Sequence, residues 1–169
     1  MSKAKTIFTE LLSVSYPSLP FFKWIPEGVN VGTVVYIEGF APQMCTKFTI
    51  DLIDGPDIEE RTWKHSDIPF GMCIMFEDKL FIGNTRRDGE WGQPYKEIFT
   101  AIRRGDNFQM KIIVEEKYYK VIINGKSIVY QHRMNTDRAK QLRIEGSIVI
   151  KRIEFRHGND YHFTPLDCY

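Results

Sequence analysis

The amino-acid sequence predicts an all-β fold, a two-sheet antiparallel β-sandwich formed by one domain. Three observations carry that expectation. Aromatic side chains are abundant, with twelve Phe, eight Tyr and three Trp making 14% of 169 residues, and such side chains suit a pleated, half-buried surface. Short runs of period-two alternation recur along the chain between turn residues, and no long helical pattern interrupts them. An Asn124-Gly125 pair stands between two apolar runs, the strongest short-range hairpin signal because both residues accept the positive φ of a type I′ turn.

Taken in chain order, segment 6–15 (TIFTELLSVS) reads as a short helix or an irregular lead-in, and Pro17, Pro20 and Pro26 stop any helix soon after it. Residues 1–17 are therefore expected to be an N-terminal tail. Strand-like runs follow at 33–40, 47–53, 71–76, 80–84 and 95–102. The clearest region is 108–130, where FQMKIIVEE, KYYKVIING and KSIVYQ reverse at Glu115-Glu116 and at Asn124-Gly125, as in a three-stranded meander. A last run, 147–155 (SIVIKRIEF), follows Gly146. About ten strands without long helices pack as two sheets face to face. The domain is expected to run over 18–158, with a C-terminal tail at 159–169.

Composition narrows the function classes. Hydrophobic residues are 43% and charged residues 27% of the chain, the balance of one soluble domain. With 23 Lys and Arg against 22 Asp and Glu the net charge is +1, so no global field draws in nucleic acid or an anionic membrane. Apolar stretches are broken within about eight residues, far short of the roughly 20 that span a bilayer, so membrane insertion is not expected. Thr9 and Glu10 interrupt the N-terminal apolar run and no small-residue cleavage site follows, which argues against a secretory signal. Three cysteines, Cys45, Cys73 and Cys168, lack metal-ligand spacing, and no Asn-x-Ser/Thr acceptor is present. The expectation is a reduced, cytoplasmic chain with free thiols and no lipid anchor.

Particular residues then suggest a family. Pro20-Phe21, Ile25-Pro26-Glu27-Gly28, Gly32, the alternating Val34, Tyr36 and Gly39, and Phe48-Thr49-Ile50-Asp51-Leu52 form one set. Phe99, Gly105, Phe108, Tyr119-Lys120-Val121-Ile122-Ile123-Asn124-Gly125, His132-Arg133 and Leu142-Arg143-Ile144-Glu145-Gly146-Ser147 form a second. Over residues 20 to 155 the chain resembles the galectins. The resemblance implies a galectin-type, concanavalin-like jelly roll of about eleven strands that binds a β-galactoside on its concave face. It also implies a noncatalytic lectin without a cofactor, whose partners are glycans or glycoproteins, which often pairs as a homodimer and which leaves the cell by a nonclassical route.

In the family, one strand presents His, Asn and Arg at alternate positions, the next an Asn, and the third a Trp followed by Glu and Arg. Alternation matters because only every second side chain on a strand shares a face. In GMCIMFEDK the resemblance sets Met75 in place of the His, Glu77 of the Asn and Lys79 of the Arg; FIGNT keeps the Asn as Asn84; EWGQPYK keeps Trp91, with Pro94 in place of the Glu and Lys96 of the Arg. The connection from Lys79 to Asn84 is also shorter than usual, which trims one wall of the groove.

Trp91 is the anchor of a sugar reading, because the apolar face of galactose stacks on an indole. Asn84 suits a sugar hydroxyl and equally suits tying neighbouring strands together. The family's His and Arg reach the axial 4-hydroxyl of galactose, and Met75 offers no donor there, so specificity is expected to relax or affinity to fall. Other constellations carry less. Glu77 and Glu90 form a glycosidase pair only if they share one groove. Cys73 reads as a buried structural thiol and His132-Arg133 as structural. His157, Asp160 and His162 lie in a polar C-terminal segment with no third ligand fixed. Arg86-Arg87 and Arg103-Arg104 read as solvated basic turns, the first near enough to Trp91 to meet an acidic partner or a sulfated or sialylated sugar.

Two functions follow from this reading. The first is a noncatalytic galectin-like carbohydrate-binding protein of weak or altered glycan specificity, using Trp91, Asn84, Glu77, Lys79, Lys96 and Met75. The second is a degenerate galectin domain that has lost lactose binding and acts as a protein-protein interaction module.

Overall fold

A computed structural model describes residues 12–25, 27–55 and 63–156. Among them thirteen strands make two antiparallel sheets. The first sheet runs in the order β1 (Leu12–Ser15), β13 (Val149–Arg156), β3 (Val34–Phe40), β9 (Asn107–Val114), β10 (Tyr118–Ile123) and β11 (Lys126–Gln131). The second runs β2 (Phe21–Trp24), β12 (Ala139–Gly146), β4 (Lys47–Asp54), β5 (Ile68–Met75), β6 (Leu80–Arg87) and β7 (Glu90–Trp91), with β8 (Tyr95–Ile98) also paired to β6. The expected sandwich is therefore present, and the 108–130 meander is β9, β10 and β11.

The core is the space between the sheets. Every second residue of β4, β5, β9 and β10 points inward and is buried, as strand alternation requires. Aromatic rings carry much of the packing: Phe70 stacks on Tyr119 with centroids 4.6 Å apart, and Phe48 on Phe108 at 5.9 Å. A polar bridge also crosses the core, where the Thr85 hydroxyl lies 2.7 Å from the Tyr130 hydroxyl and donates to the Pro69 carbonyl. This bridge holds β6 from behind, at the level where its opposite face carries Asn84 and Arg86.

Two hairpins have two-residue turns with positive φ at both positions, Asn124-Gly125 (48° and 82°) and Asp88-Gly89 (52° and 80°). Both are type I′ geometry, which matches the twist of the flanking strands. The second turn sets Trp91 opposite Arg86 and Glu90 opposite Arg87.

Several expectations change. Part of the segment read as a tail is a strand, since β1 pairs with β13 from Leu12 opposite Phe155 to Ser15 opposite Arg152; the backbone groups of an edge strand accept such a partner without any sequence pattern of their own. Strands β2 and β12 were not read as runs. In β12 apolar Leu142 and Ile144 alternate with charged Arg143 and Glu145, but the pattern lasts only four residues before Gly146. The 95–102 run ends at Ile98, and the 80–84 run continues to Arg87.

Candidate functional site

The outer face of the second sheet is built from cross-strand rows, because directly opposed residues share a face. One row reads Arg143, Asp51, Gly71, Asn84. The next reads Glu145, Thr49, Cys73, Ile82, Lys96, and the one beyond it Lys47, Met75, Leu80, Ile98. Over the first two rows lies an open groove of about 500 Å³, walled by Trp63 and Trp91.

Trp91 comes from β7 and is 49% exposed. Its indole reaches across β6 to Gly71: a methyl group on Gly71 would lie 3.1 Å from Trp91 Cη2 and 2.7 Å from Asp51 Oδ1. The glycine thus makes room for the ring to lie over β5. Trp63, on a three-residue 3-10 segment (Trp63–His65), forms the opposite wall. Its ring has the Arg143 guanidinium 4.0 Å from its centroid and sits 6.5 Å from the Phe22 ring.

Between the two indoles lies Arg86, whose guanidinium carbon is 5.5 Å from the Trp63 centroid and 5.6 Å from the Trp91 centroid. The expectation of a solvated Arg86-Arg87 turn is corrected here for Arg86, which is only 7% exposed. The strand continues through it, and its alternate position faces the groove. The side chain donates to the carbonyl oxygens of Ser66 and Trp63, at 2.7 and 2.5 Å, so it fastens the 63–66 loop to the sheet. Cation–π contacts of this kind strengthen when desolvated.

On the floor, Arg143 donates to Asp51 at 2.7 Å, with both side chains 8% exposed, and also pairs with Glu145. Burial pushes the Asp51 carboxyl above its usual range, against the pull of Arg143 and Arg86. A buried pair of this type costs desolvation on both sides, and breaking it strands a charge. Asp67 braces the same end. It accepts from the Asp88 backbone N–H at 2.8 Å and from Arg138 at 2.7 Å. Burial alone would raise its pKa, but these donors hold it below the ordinary carboxylate value.

Asn84 faces the groove as expected, and its amide is largely committed. Nδ2 donates to the Gly92 carbonyl at 2.9 Å, while Oδ1 accepts from the Thr85 N–H at 2.8 Å and from Arg133 at 3.3 Å. One N–H remains for a ligand. Arg133 also donates to the Gln93 carbonyl at 2.7 Å, and His132 Nε2 lies 2.7 Å from the Glu115 carbonyl, which fits the structural reading of that pair.

The remaining site expectations need a change of register. β5 ends at Met75, so Met75, Glu77 and Lys79 do not alternate along one strand. The reversal begins at Phe76, where Lys79 adopts a positive φ of 51° and its N–H donates to the Phe76 carbonyl. Glu77 pairs with Arg104 at 3.3 Å, beyond the groove. The groove-facing positions of β5 are Gly71, Cys73 and Met75, so the alternate positions at which the family resemblance implies His, Asn and Arg hold no polar donor beyond a thiol. Burial pushes that Cys73 thiol up in pKa. Lys96 shares the groove-side face through its pairing with Ile82 but stands outside the cavity on the edge strand. Trp63, Asp51 and Arg143 were not expected in the site, and Arg86 only as a solvated turn residue beside Trp91; Asp51 and Arg143 stood in the matched motifs, and nothing in sequence spacing brings the 63–66 loop over them.

Glu77 and Glu90 do not form a hydrolytic pair. They flank opposite ends of the eight-residue β6, which places them roughly 20 Å apart at about 3.3 Å per residue, against the roughly 5 to 9.5 Å that glycoside hydrolysis needs. His157, Asp160, His162 and Cys168 lie outside the described residues.

Comparison with known proteins agrees with the architecture. Residues 20–155, the stretch that resembles the galectins, match the model of the galactoside-binding lectin family. Human galectin-4 is 31% identical over 145 residues, covering 84% of this chain and 43% of galectin-4; the chain spans less than half the length of that relative. Rat galectin-7 is 25% identical over 131 residues, covering 77% of this chain and 92% of its own. Among solved structures, sheep galectin-11 in complex with glycerol superposes with a TM-score of 0.73 at 26% identity, covering 84% of this chain and all (100%) of that one. A Caenorhabditis elegans galectin, at 15% identity with a TM-score of 0.74 over 86% of this chain and 96% of its own, shares the fold.

Proposed function

The chain belongs to the galactoside-binding lectin family, and on that premise we propose that it binds glycans noncatalytically in the groove between Trp63 and Trp91, with a preference displaced from simple β-galactosides. The observation that carries this reading is the half-exposed Trp91 indole over an open groove of about 500 Å³. An indole in that setting offers the apolar platform on which a pyranose C–H face stacks. Asn84 supplies one amide N–H, and Thr49, Glu145 and Lys47 supply further polar groups along the lining. The displaced preference is supported by Gly71, Cys73 and Met75. A polar site discriminates between hydroxyl epimers through groups that would be left unpaired by the wrong one, and β5 presents no such set. Lys96, at the rim, is placed to meet a ligand that extends over β8, whereas Glu77 and Lys79 serve a different part of the surface.

The test is a glycan array with lactose, N-acetyllactosamine and sulfated, fucosylated and sialylated forms, followed by titration calorimetry on any hit. Wild type is expected to bind a defined subset that excludes unmodified lactose, and Trp91→Ala to weaken that binding at least tenfold. A blank array with folded protein, or equal binding by both forms, overturns the proposal. The partners on this reading are glycans or glycoproteins, and a cytoplasmic location with nonclassical export belongs to the same proposal. The row Lys47, Met75, Leu80, Ile98 favours a second reading, contact with protein.

A further inference from the structure

The hairpin end of the same sheet has a different chemistry from the groove. Met75, Leu80 and Ile98 are directly opposed across β5, β6 and β8, so they form one continuous apolar row, with Ile98 71% exposed. Such a row on an outer sheet face leaves apolar area in water that a partner would bury. Around it stand Lys47, Lys96 and Lys79, none of which makes an ion pair among the described residues. Lysine on an edge strand blocks self-pairing, yet that role needs no apolar row beside it.

Lys79 also opens onto a second cavity, of about 220 Å³, with Phe76 and Ile102 in its lining and Arg103 and Arg104 at its side. Arg104 is held there by the Cys45 carbonyl at 2.7 Å and by Glu77; Arg103 pairs with Asp106. Against these cations stand Asp78, Glu77 on Arg104, Asp106 on Arg103 and Glu97, which accepts from the Tyr95 hydroxyl, so the unpaired charged groups here among the described residues are the three lysines and Asp78. Positive charge therefore exceeds negative charge along the whole apolar row, and the surface complements a partner that is apolar and acidic together.

We propose that the row Met75, Leu80, Ile98, with its lysines and the adjoining basic cavity, is a docking surface for an acidic polypeptide segment carrying apolar side chains. The apolar side chains cover the row. The carboxylates meet Lys47 and Lys96 along its flanks and Lys79, Arg103 and Arg104 at the hairpin end. This surface borders the glycan groove and shares Lys47 and Lys96 with its edge, but it makes no use of the Trp91 indole.

The test is selection of a random dodecapeptide display library on the folded chain, then fluorescence anisotropy with the most enriched peptide. Enriched sequences are expected to combine Asp or Glu with Leu, Ile or Phe. Ile98→Glu and Lys79→Glu, both at exposed positions, should each weaken binding at least tenfold, whereas Trp91→Ala should leave it unchanged; Trp91→Ala is the variant that removes glycan binding, so the two proposals fail separately. No enrichment, enrichment of basic or uncharged peptides, or binding unaltered in both charge variants overturns the inference. Vesicles of phosphatidylserine that retain wild type but not Ile98→Glu, without enrichment of acidic peptides, assign the surface to a lipid and overturn it equally.

Discussion

The two ends of one sheet face, built by the same strands under the same alternation, have opposite characters. At the Trp63 end nearly every polar group is engaged. Asp51 holds Arg143, Arg86 is fastened to loop carbonyls, and Asn84 spends most of its amide on Gly92, Thr85 and Arg133. At the hairpin end the floor is apolar and the lysines are unpaired. Alternation decides which side chains face the groove; it does not decide whether they are available to a ligand. A residue type suited to recognition can be consumed in holding the site together, and here the charged groups buried in the groove do that, leaving the Trp91 indole half-exposed.

That contrast can be broken most severely at its buried pair. Asp51→Leu leaves Arg143 without its buried partner, and the expected loss is roughly 3 to 5 kcal/mol in urea unfolding. The double variant Asp51→Leu with Arg143→Met should recover most of it. A loss below about 1 kcal/mol in the single variant would mean that the pair behaves as a surface one and does not lock this end. Gly71→Ala comes next. Its methyl group meets Asp51 and Trp91 closer than van der Waals contact, so overpacking of about 1 to 3 kcal/mol should accompany a shift in tryptophan emission, and an unchanged spectrum would show that the ring does not rest there.

A smaller effect belongs to Asp67. Its folded-state pKa lies below the ordinary carboxylate value, so its contribution is complete above about pH 4 and is lost as pH falls through the folded value. Asp67→Asn should lower stability at neutral pH and flatten the acid limb of the stability profile; an acid limb identical to wild type counts against this brace. The smallest change is expected at the hairpin end. Ile98→Ser alters an exposed side chain and should move stability by no more than about 0.5 kcal/mol, whereas a larger loss in thermal unfolding would mean that the apolar row is already packed.

Much of the fold was legible in the chain because strands and turns announce themselves locally. The alternating runs and Asn124-Gly125 need only near neighbours to be read, whereas Trp91 was reached through the family resemblance, and only the structure sets it beside Arg86. The strand β12 was obscured because its alternation, Leu142 to Glu145, lasts only four residues, and β1 because its pairing partner lies about 140 residues away in sequence, a separation that carries no local signal. The site was legible in part. Trp91 and Asn84 face the groove, but the end of β5 at Met75 displaced Glu77 and Lys79 into the turn, since the strand could equally have run on through a longer hairpin.

By itself the sequence determined the class of fold and the family, because residue identity and spacing along the chain are enough for both, whereas the resemblance placed the family's polar set at Met75, Glu77 and Lys79, four residues beyond the groove-facing Gly71, Cys73 and Met75. Tertiary structure alone decided what occupies the place of that set. The Trp63 loop crosses onto Arg143, Arg86 turns inward between two indoles, and Trp91 lies down over Gly71. Each of these contacts joins segments distant in sequence, and in each the desolvation of a charge is offset only by partners that the folded sheets bring together.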